Sequence, residues 1–323
     1  MLGLKEAEQL RPRRWTPVLA LALAGAATFG FWALPGHVGA ASARDMPCGG
    51  EALHEDSFPA VAPAQASPAA PAPSATFIPN PETFGKLQAK EGATVEMSRF
   101  STNFYHATPS QAANIALTAK RLTGKVVAPG AIFSYVRATG PFTAAGGYGW
   151  GRQFVGNRIV PSIGGGVCQG ASTLYNAVLL ANLQVVERHQ HGLTVPYLPP
   201  GRDATVTDSG GLDFQFRNDT RWPVVLWAQT TDRMLTIAIY GRQAPPKVTI
   251  ETNVLARFPF QTEYVRDPKL AAGEQQVAAP GQEGARSVTY EVIQWPDGKT
   301  ERRLLSRDTY RASPRVILRG PTA

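Results

Sequence analysis

The chain has 323 residues, of which 43% are hydrophobic and 17% charged, and a formal net charge of +8. That length holds two ordinary domains and a tail, and the apolar fraction excludes a chain that is disordered throughout. The charge is uneven: residues 100–246 carry 12 basic and 6 acidic groups, whereas residues 1–99 carry 8 and 9. A basic segment favours polyanions, namely nucleic acid, anionic lipid or the carboxylate and phosphate polymers of a cell wall. No helix-turn-helix, zinc-finger or RNA-binding signature accompanies the charge, which argues against nucleic acid.

In chain order, Lys5, Arg11, Arg13 and Arg14 form a basic segment over 1–14, ahead of an uncharged stretch from Trp15 to Leu34. About 20 such residues suffice to cross a bilayer as a helix. The small-residue run ending Ala41-Ser42-Ala43 fits a signal-peptidase site. Residues 15–43 therefore read as a signal peptide or a membrane anchor, and export is expected on either reading. Residues 44–95 are rich in Ala, Pro and Ser and read as an extended spacer. The two cysteines, Cys48 and Cys168, lie 120 positions apart. Cys48 falls in sequence too rich in Gly and Pro to promise a fixed geometry for pairing, and an unpaired Cys168 outside the membrane suggests a use for its thiol.

The folded part is expected over 96–242 and 246–323. Thr108-Pro109 offers a cap with proline at the first helical position. Ala112, Ile115, Ala116, Ala119 and Leu122 mark one helix face before Gly124. Short strands are expected around Pro129-Gly130, and Gly140 to Arg152 reads as a long loop, rich in glycine and aromatic residues, able to line a groove for sugar rings or a peptide. Ile163 to Leu183, IGGGVCQGASTLYNAVLLANL, combines a glycine run, Cys168 and a helix whose Leu174, Ala177, Val178 and Ala181 share a face. Cys168 then sits in the first turn, where unpaired N–H groups and the helix dipole lower a thiol's pKa and hold an oxyanion. Strand character follows in 184–188, 193–198, 204–206, 213–216, 224–230 and 235–240. The expected class is α+β, two helices on an antiparallel sheet. Beyond Pro246 the pattern is all-β: VTIETNV, TEYVRD, SVTYEVIQW and RRLLSRDTY read as strands, GEQQVAAPGQEG and PDGK as turns.

These stretches resemble known families. Phe100 to Thr102, PGAIFSY (129–135), GGGVCQ with STLYNA (164–177), ERHQH (187–191), GRDATV (201–206) and LDFQFRN (212–218) occur in the order of the VanW family, named after an accessory protein of vancomycin-resistance clusters. Gly170 stands where that family more often has valine, and Gly192 where serine is common. The resemblance implies an envelope setting but not a reaction. Leu270, Gly273-Glu274, Pro280-Gly281, Gly284, VTYEVI (288–293), Gly298-Lys299 and Val316 to Gly320 resemble a G5 domain, which implies attachment to glycans containing N-acetylglucosamine. Peptidoglycan or another wall polymer is the implied partner, with the membrane as a second one if the N-terminal segment is retained.

The residue types for thiol catalysis occur as Cys168, His191 and Asp203: a nucleophile, a base and an orienting carboxylate. Cysteine at a helix start, with histidine and aspartate on successive strands, is the layout of transglutaminase-like and papain-like enzymes. His189 competes with His191, since residues two apart on a strand share a face, and the VanW-like motif selects His191. Asp213 is an alternative orienter. Gln169 is a candidate oxyanion donor or helix cap. The same Cys168, His191 and Asp203 could instead hold zinc, although no close ligand pair such as C-x-x-C is present. No cofactor is implied; GGGVCQG lacks the lysine of a phosphate loop. Two functions thus stand side by side: a cysteine acyl hydrolase or transferase on a wall bond, and a non-catalytic wall-binding or assembly factor with Cys168 merely packed.

Overall fold

In the computed structural model, residues 75–155, 158–208 and 211–322 are described, all within one compact unit spanning 65–323. The segment 15–43 and Cys48 lie outside the described residues, among which no helix is long and apolar enough to cross a membrane.

The stretch read as a spacer ends earlier than expected. Residues Pro81–Glu91 form a helix, α1, capped by the Asn80 side chain on Thr83 N–H and stopped by Gly92 in the left-handed region. It is mostly exposed and buries only Phe84, so it lacks the apolar stripe by which a helix is recognised in sequence. The strand β1 (Val95–Asn103) follows, then α2 (Pro109–Leu122), entered through a capping box between Thr108 and Gln111. Short strands β2 (Val126–Val127) and β3 (Ile132–Ser134), a one-turn helix α3 (Tyr135–Thr139) and a hairpin of β4 (Trp150–Val155) with β5 (Arg158–Ile163) lead to α4 (Val167–Leu180). After it come β6 (Gln184–Glu187), β7 (Gln215–Arg217), β8 (Val224–Thr231) and β9 (Met234–Gly241). Four strands pair antiparallel in the order β1-β9-β8-β2, and three in the order β3-β7-β6. The class is α+β, as expected, with four helices described rather than two.

The helix α4 is the centre of the core. It is buried on almost every side, as an apolar helix enclosed by its neighbours must be. Leu174, Ala177, Val178 and Leu179 pack with Ile115 and Leu122 of α2 and with Leu226, Ile237 and Ile239 of the four-stranded sheet. Its polar residues face the surrounding chain: Thr173 meets Thr102, and Ser98 donates to the Ala177 carbonyl, both from β1. Two expected strands are absent. Residues 193–198 and 204–206 are irregular: Leu193, Val195, Ala204 and Val206 bury their side chains, and the backbone of 204–206 bonds Ser172 and Cys168 of α4 and the His189 carbonyl rather than a ladder.

The C-terminal part is all-β, in two three-stranded sheets. One is β10 (Lys247–Phe258), β13 (Gly284–Gln294) and β14 (Thr300–Tyr310), in the order β10-β13-β14. The other is β11 (Thr262–Arg266), β12 (Gln275–Gln282) and β15 (Ser313–Arg319), in the order β11-β15-β12, with β11 and β15 parallel. The stretch read as a turn, 273–284, therefore contains a strand; its side chains are largely exposed, so no buried face marked it. Ile250 and Leu305 of this part pack against the core that holds α4.

Gly170 faces the most crowded point of α4. A Cβ there would lie 2.2 Å from the Tyr135 hydroxyl and 3.1 Å from Thr118 Oγ1. Tyr135 is fully buried and donates to the Val167 carbonyl at the start of the helix. The valine common at this position in the family is thus replaced here by space for a hydroxyl. Gly170→Val is expected to destabilise the protein by about 1–3 kcal/mol through overpacking, read as a lowered midpoint in chemical denaturation. Adding Tyr135→Phe should recover part of the loss; a fully additive double variant would contradict this account.

Candidate functional site

The site begins with the glycine run. Gly166 caps α4 with φ of 104°, a conformation that suits glycine alone. A Cβ on Gly165 would lie 2.5 Å from the Arg152 amide nitrogen, so only glycine lets the β4–β5 hairpin close against the helix start. Asn114 of α2 pins this turn by donating to the carbonyls of Gly149 and Gly165 and accepting from Gly149 N–H. The turn thus delivers Cys168, half-buried, into the first turn of α4.

The partners arrive on two irregular segments rather than on successive strands. Residues 188–192 leave β6, and residues 201–206 run beside them, joined by Thr205 N–H to the His189 carbonyl. The second segment is clipped to α4: Ser172 Oγ accepts from Ala204 N–H, and Asn176 donates to the Arg202 carbonyl. Asp203 then places Oδ2 at 2.7 Å from the His191 amide nitrogen and 2.6 Å from its Nδ1. With Nδ1 engaged by the carboxylate, Nε2 is the ring atom left for the thiol. Cys168 Sγ also lies 3.7 Å from Thr205 Oγ1 and 3.6 Å from the Val206 carbonyl.

Electrostatics follow from these contacts. Burial pushes the Cys168 thiol up, but the hydrogen bond with His191, its charge, and the Val206 and Thr205 contacts outweigh burial and hold the thiol below its ordinary value. Burial pulls His191 down, yet the bonds to Asp203 and Cys168 lift it to about 9. Burial raises Asp203, and His191, Arg188 and Tyr310 bring it below the usual carboxylate range. The three shifts together favour a thiolate beside an imidazolium.

The other candidates fall elsewhere. His189 does not share a face with His191, because β6 ends at Glu187 and the chain turns; its Nε2 meets Glu187 Oε1 at 2.9 Å, and it lines a separate cavity behind Arg188. Asp213 accepts from Val136 and Phe214 N–H and from Ser134 and Gln215, holding α3 rather than orienting a histidine. Gln169 donates to Thr102 Oγ1 and the Asn103 carbonyl, so its amide is committed to β1. The zinc reading is not matched either: both Asp203 oxygens are taken by donors, and among the described residues no group of three His, Cys, Asp or Glu is arranged for a metal ion. Three participants were not singled out as site residues in the sequence, although Arg188 lies within the ERHQH stretch. Arg188 and Tyr310 donate to Asp203 Oδ1 at 3.2 and 2.5 Å, and Asp308 accepts from Arg188 at 2.7 Å.

Cys168 and His191 open onto a cavity of about 1290 Å³. Phe104, Tyr105, Phe142 and Tyr197 supply aromatic wall, and Arg152 and Arg311 supply cations. The expected Gly140 to Arg152 loop does line it, through Phe142, Thr143 and Arg152.

Residues 110–240 match the family model described as VanW like protein, and residues 249–322 match that of the G5 domain. The chain carries a VanW-like domain followed by a G5 domain. Cys168, His191 and Asp203 all lie in the VanW-like domain, whereas Asp308 and Tyr310 lie in the G5 domain. Among curated proteins, the chain is 36% identical over 172 residues to the uncharacterized protein YoaR of Bacillus subtilis (strain 168), covering 52% of this chain and 56% of that protein. It is 27% identical over 139 residues to the vancomycin B-type resistance protein VanW of Enterococcus faecalis (strain ATCC 700802 / V583), covering 41% and 50%. The chain thus spans about half the length of the curated relatives it matches. Solved G5 domains, from IgA1 protease and HP0197, are 23% and 22% identical; they cover 24% and 23% of this chain and 94% and 99% of theirs, with TM-scores of 0.17 and 0.14.

The His191 shift is directly measurable. Ring proton NMR is expected to show an inflection near 9. Asp203→Asn should lower it, since the bond and charge of the carboxylate then no longer oppose burial and only Cys168 does. An unmodified protein titrating at 6.5 would remove the proposed coupling.

Proposed function

We propose that this protein is exported to the cell envelope, where its VanW-like domain (96–242) acts as a cysteine acyl hydrolase or transferase on the peptide, or another acyl bond, of peptidoglycan. The G5 domain (246–323) would hold it on wall glycan. The observation that carries the reading is that Cys168 and His191 face one open cavity, with Asp203 buried behind His191 and bonded to its Nδ1.

The chemistry follows from the placement. Cys168 attacks the acyl carbon as thiolate, and the oxyanion forms against its own N–H at the positive end of α4. His191, protonated at rest, passes its proton to the leaving group, which departs as the carbonyl re-forms and a thioester remains. Water, or an acceptor amine in the transfer case, gives its proton to His191 and attacks the thioester, releasing the product and the thiolate. Asp203 keeps Nδ1 occupied and stabilises the imidazolium without accepting the proton.

A second reading, a wall-binding or assembly factor, draws on the aromatic lining of the same cavity, which suits sugar rings. Alkylation by iodoacetamide across pH separates the two, in a Cys48→Ser background so that one thiol is followed. Cys168 is expected to react with an inflection well below the value of about 8.5 for a free thiol, and His191→Gln should return it toward that value. Cys168→Ser should lose about a thousandfold or more of any wall-cleaving or wall-transferring activity. An ordinary thiol titration, with every wall phenotype retained in Cys168→Ser, would leave only the binder.

A further inference from the structure

Tyr310 ends β14 in the G5 domain, yet it is fully buried against the VanW-like domain. Its hydroxyl accepts from Gly201 N–H at 2.7 Å, so its single hydrogen is free for Asp203 Oδ1 at 2.5 Å. Two residues back on the same strand, and so on the same side of it, Asp308 is 3% exposed. Its Oδ1 holds Arg188 Nη1, while Nη2 and Nε of that arginine reach Asp203 Oδ1 and its carbonyl. The chain around Tyr310 also grips the segment that carries His191 on both sides: Gln190 donates to the Thr309 carbonyl, and Arg311 N–H donates to the Gly192 carbonyl. Gly281, Gln282, Thr309 and Arg311 form one wall of the cavity.

We propose that Tyr310 is a positioning residue for the Cys168 site, and that the G5 domain completes that site rather than only tethering it. The inference rests on the thiol reading above. A tether needs a covalent link and a glycan surface, not a charged network sealed from water. Such networks cost desolvation that hydrocarbon would avoid, so stability alone does not call for one. What the network does is fix Oδ1 of Asp203, which leaves Oδ2 facing the backbone N–H and the ring Nδ1 of His191. Without the hydroxyl, Oδ1 keeps only the longer Arg188 bond at 3.2 Å, and the carboxylate is held less firmly against the imidazolium.

The test uses the full chain in the Cys48→Ser background and follows iodoacetamide alkylation against pH, with circular dichroism and a thermal melt as checks of folding. Tyr310→Phe deletes one oxygen and keeps the buried ring. It is expected to move the Cys168 inflection upward by about 0.5 to 1 unit, with the chain still folded. Asp308→Asn should move it the same way by less, and carries the test alone if Tyr310→Phe does not fold. Ser287→Ala is the control: its buried hydroxyl in β13 has no hydrogen-bond partner among the described residues, and its loss should leave the inflection in place. A depressed unmodified inflection that neither variant moves overturns the positioning role and leaves the thiol reading intact. An unmodified inflection at the free-thiol value overturns both.

Discussion

One buried carboxylate organises the site. Asp203 is 1% exposed, and its two oxygens accept from Arg188, Tyr310, the His191 amide and the His191 ring. An ionised carboxylate in such surroundings is tolerated only when its lone pairs are filled by donors, and charged donors count most. Removing one member of a buried charged set typically costs about 3–5 kcal/mol, because the remaining charge is left uncompensated. The position of His191 is therefore not a free side-chain choice. The same oxygen holds its backbone and its ring, so the imidazole cannot turn away without unpairing a buried charge.

The thiol is placed by a different kind of constraint, one of backbone crowding. Gly165 allows the hairpin to close on the turn, and Gly166 adopts the left-handed conformation that starts α4. Polar side chains of that helix then hold the loop that carries Asp203, through Ser172 and Asn176. Cys168 and the loop that carries Asp203 are thus fixed to the same helix, the loop being clipped about one and two turns beyond the cysteine.

Much of this was legible in sequence, and the parts that were not share a cause. Cys168, His191 and Asp203 were marked by chemistry and by short motifs, and α2 and α4 by their period of apolar residues. The helix α1 buries only Phe84 and so carries no such period. The expectation that His191 and Asp203 lie on successive strands came from the layout of transglutaminase-like and papain-like enzymes; here the His191 N–H and the Asp203 carbonyl are bonded to side chains instead. Gln169 stands next to the cysteine in sequence, yet a helix turns successive side chains about 100° apart, and its amide faces β1. Asp308 and Tyr310 touch residues 120 and 107 positions away. No local pattern encodes a contact of that range.

The basic excess of residues 100–246 also reads differently once folded. Arg188 is spent on Asp203 and Asp308, and Arg121 donates to the carbonyls of Thr139, Gly140 and Gly146. Arg202 bonds Asn176 and lies over the Phe100 ring. These cations hold the interior together and are not offered to a polyanion. Of the guanidinium groups that remain, Arg152 and Arg311 line the cavity, one from the VanW-like domain and one from the G5 domain. Both domains thus contribute a cation to the cavity, whereas Lys120, Lys125, Arg137, Arg221, Arg233 and Arg242 keep much of the basic excess on the exposed surface.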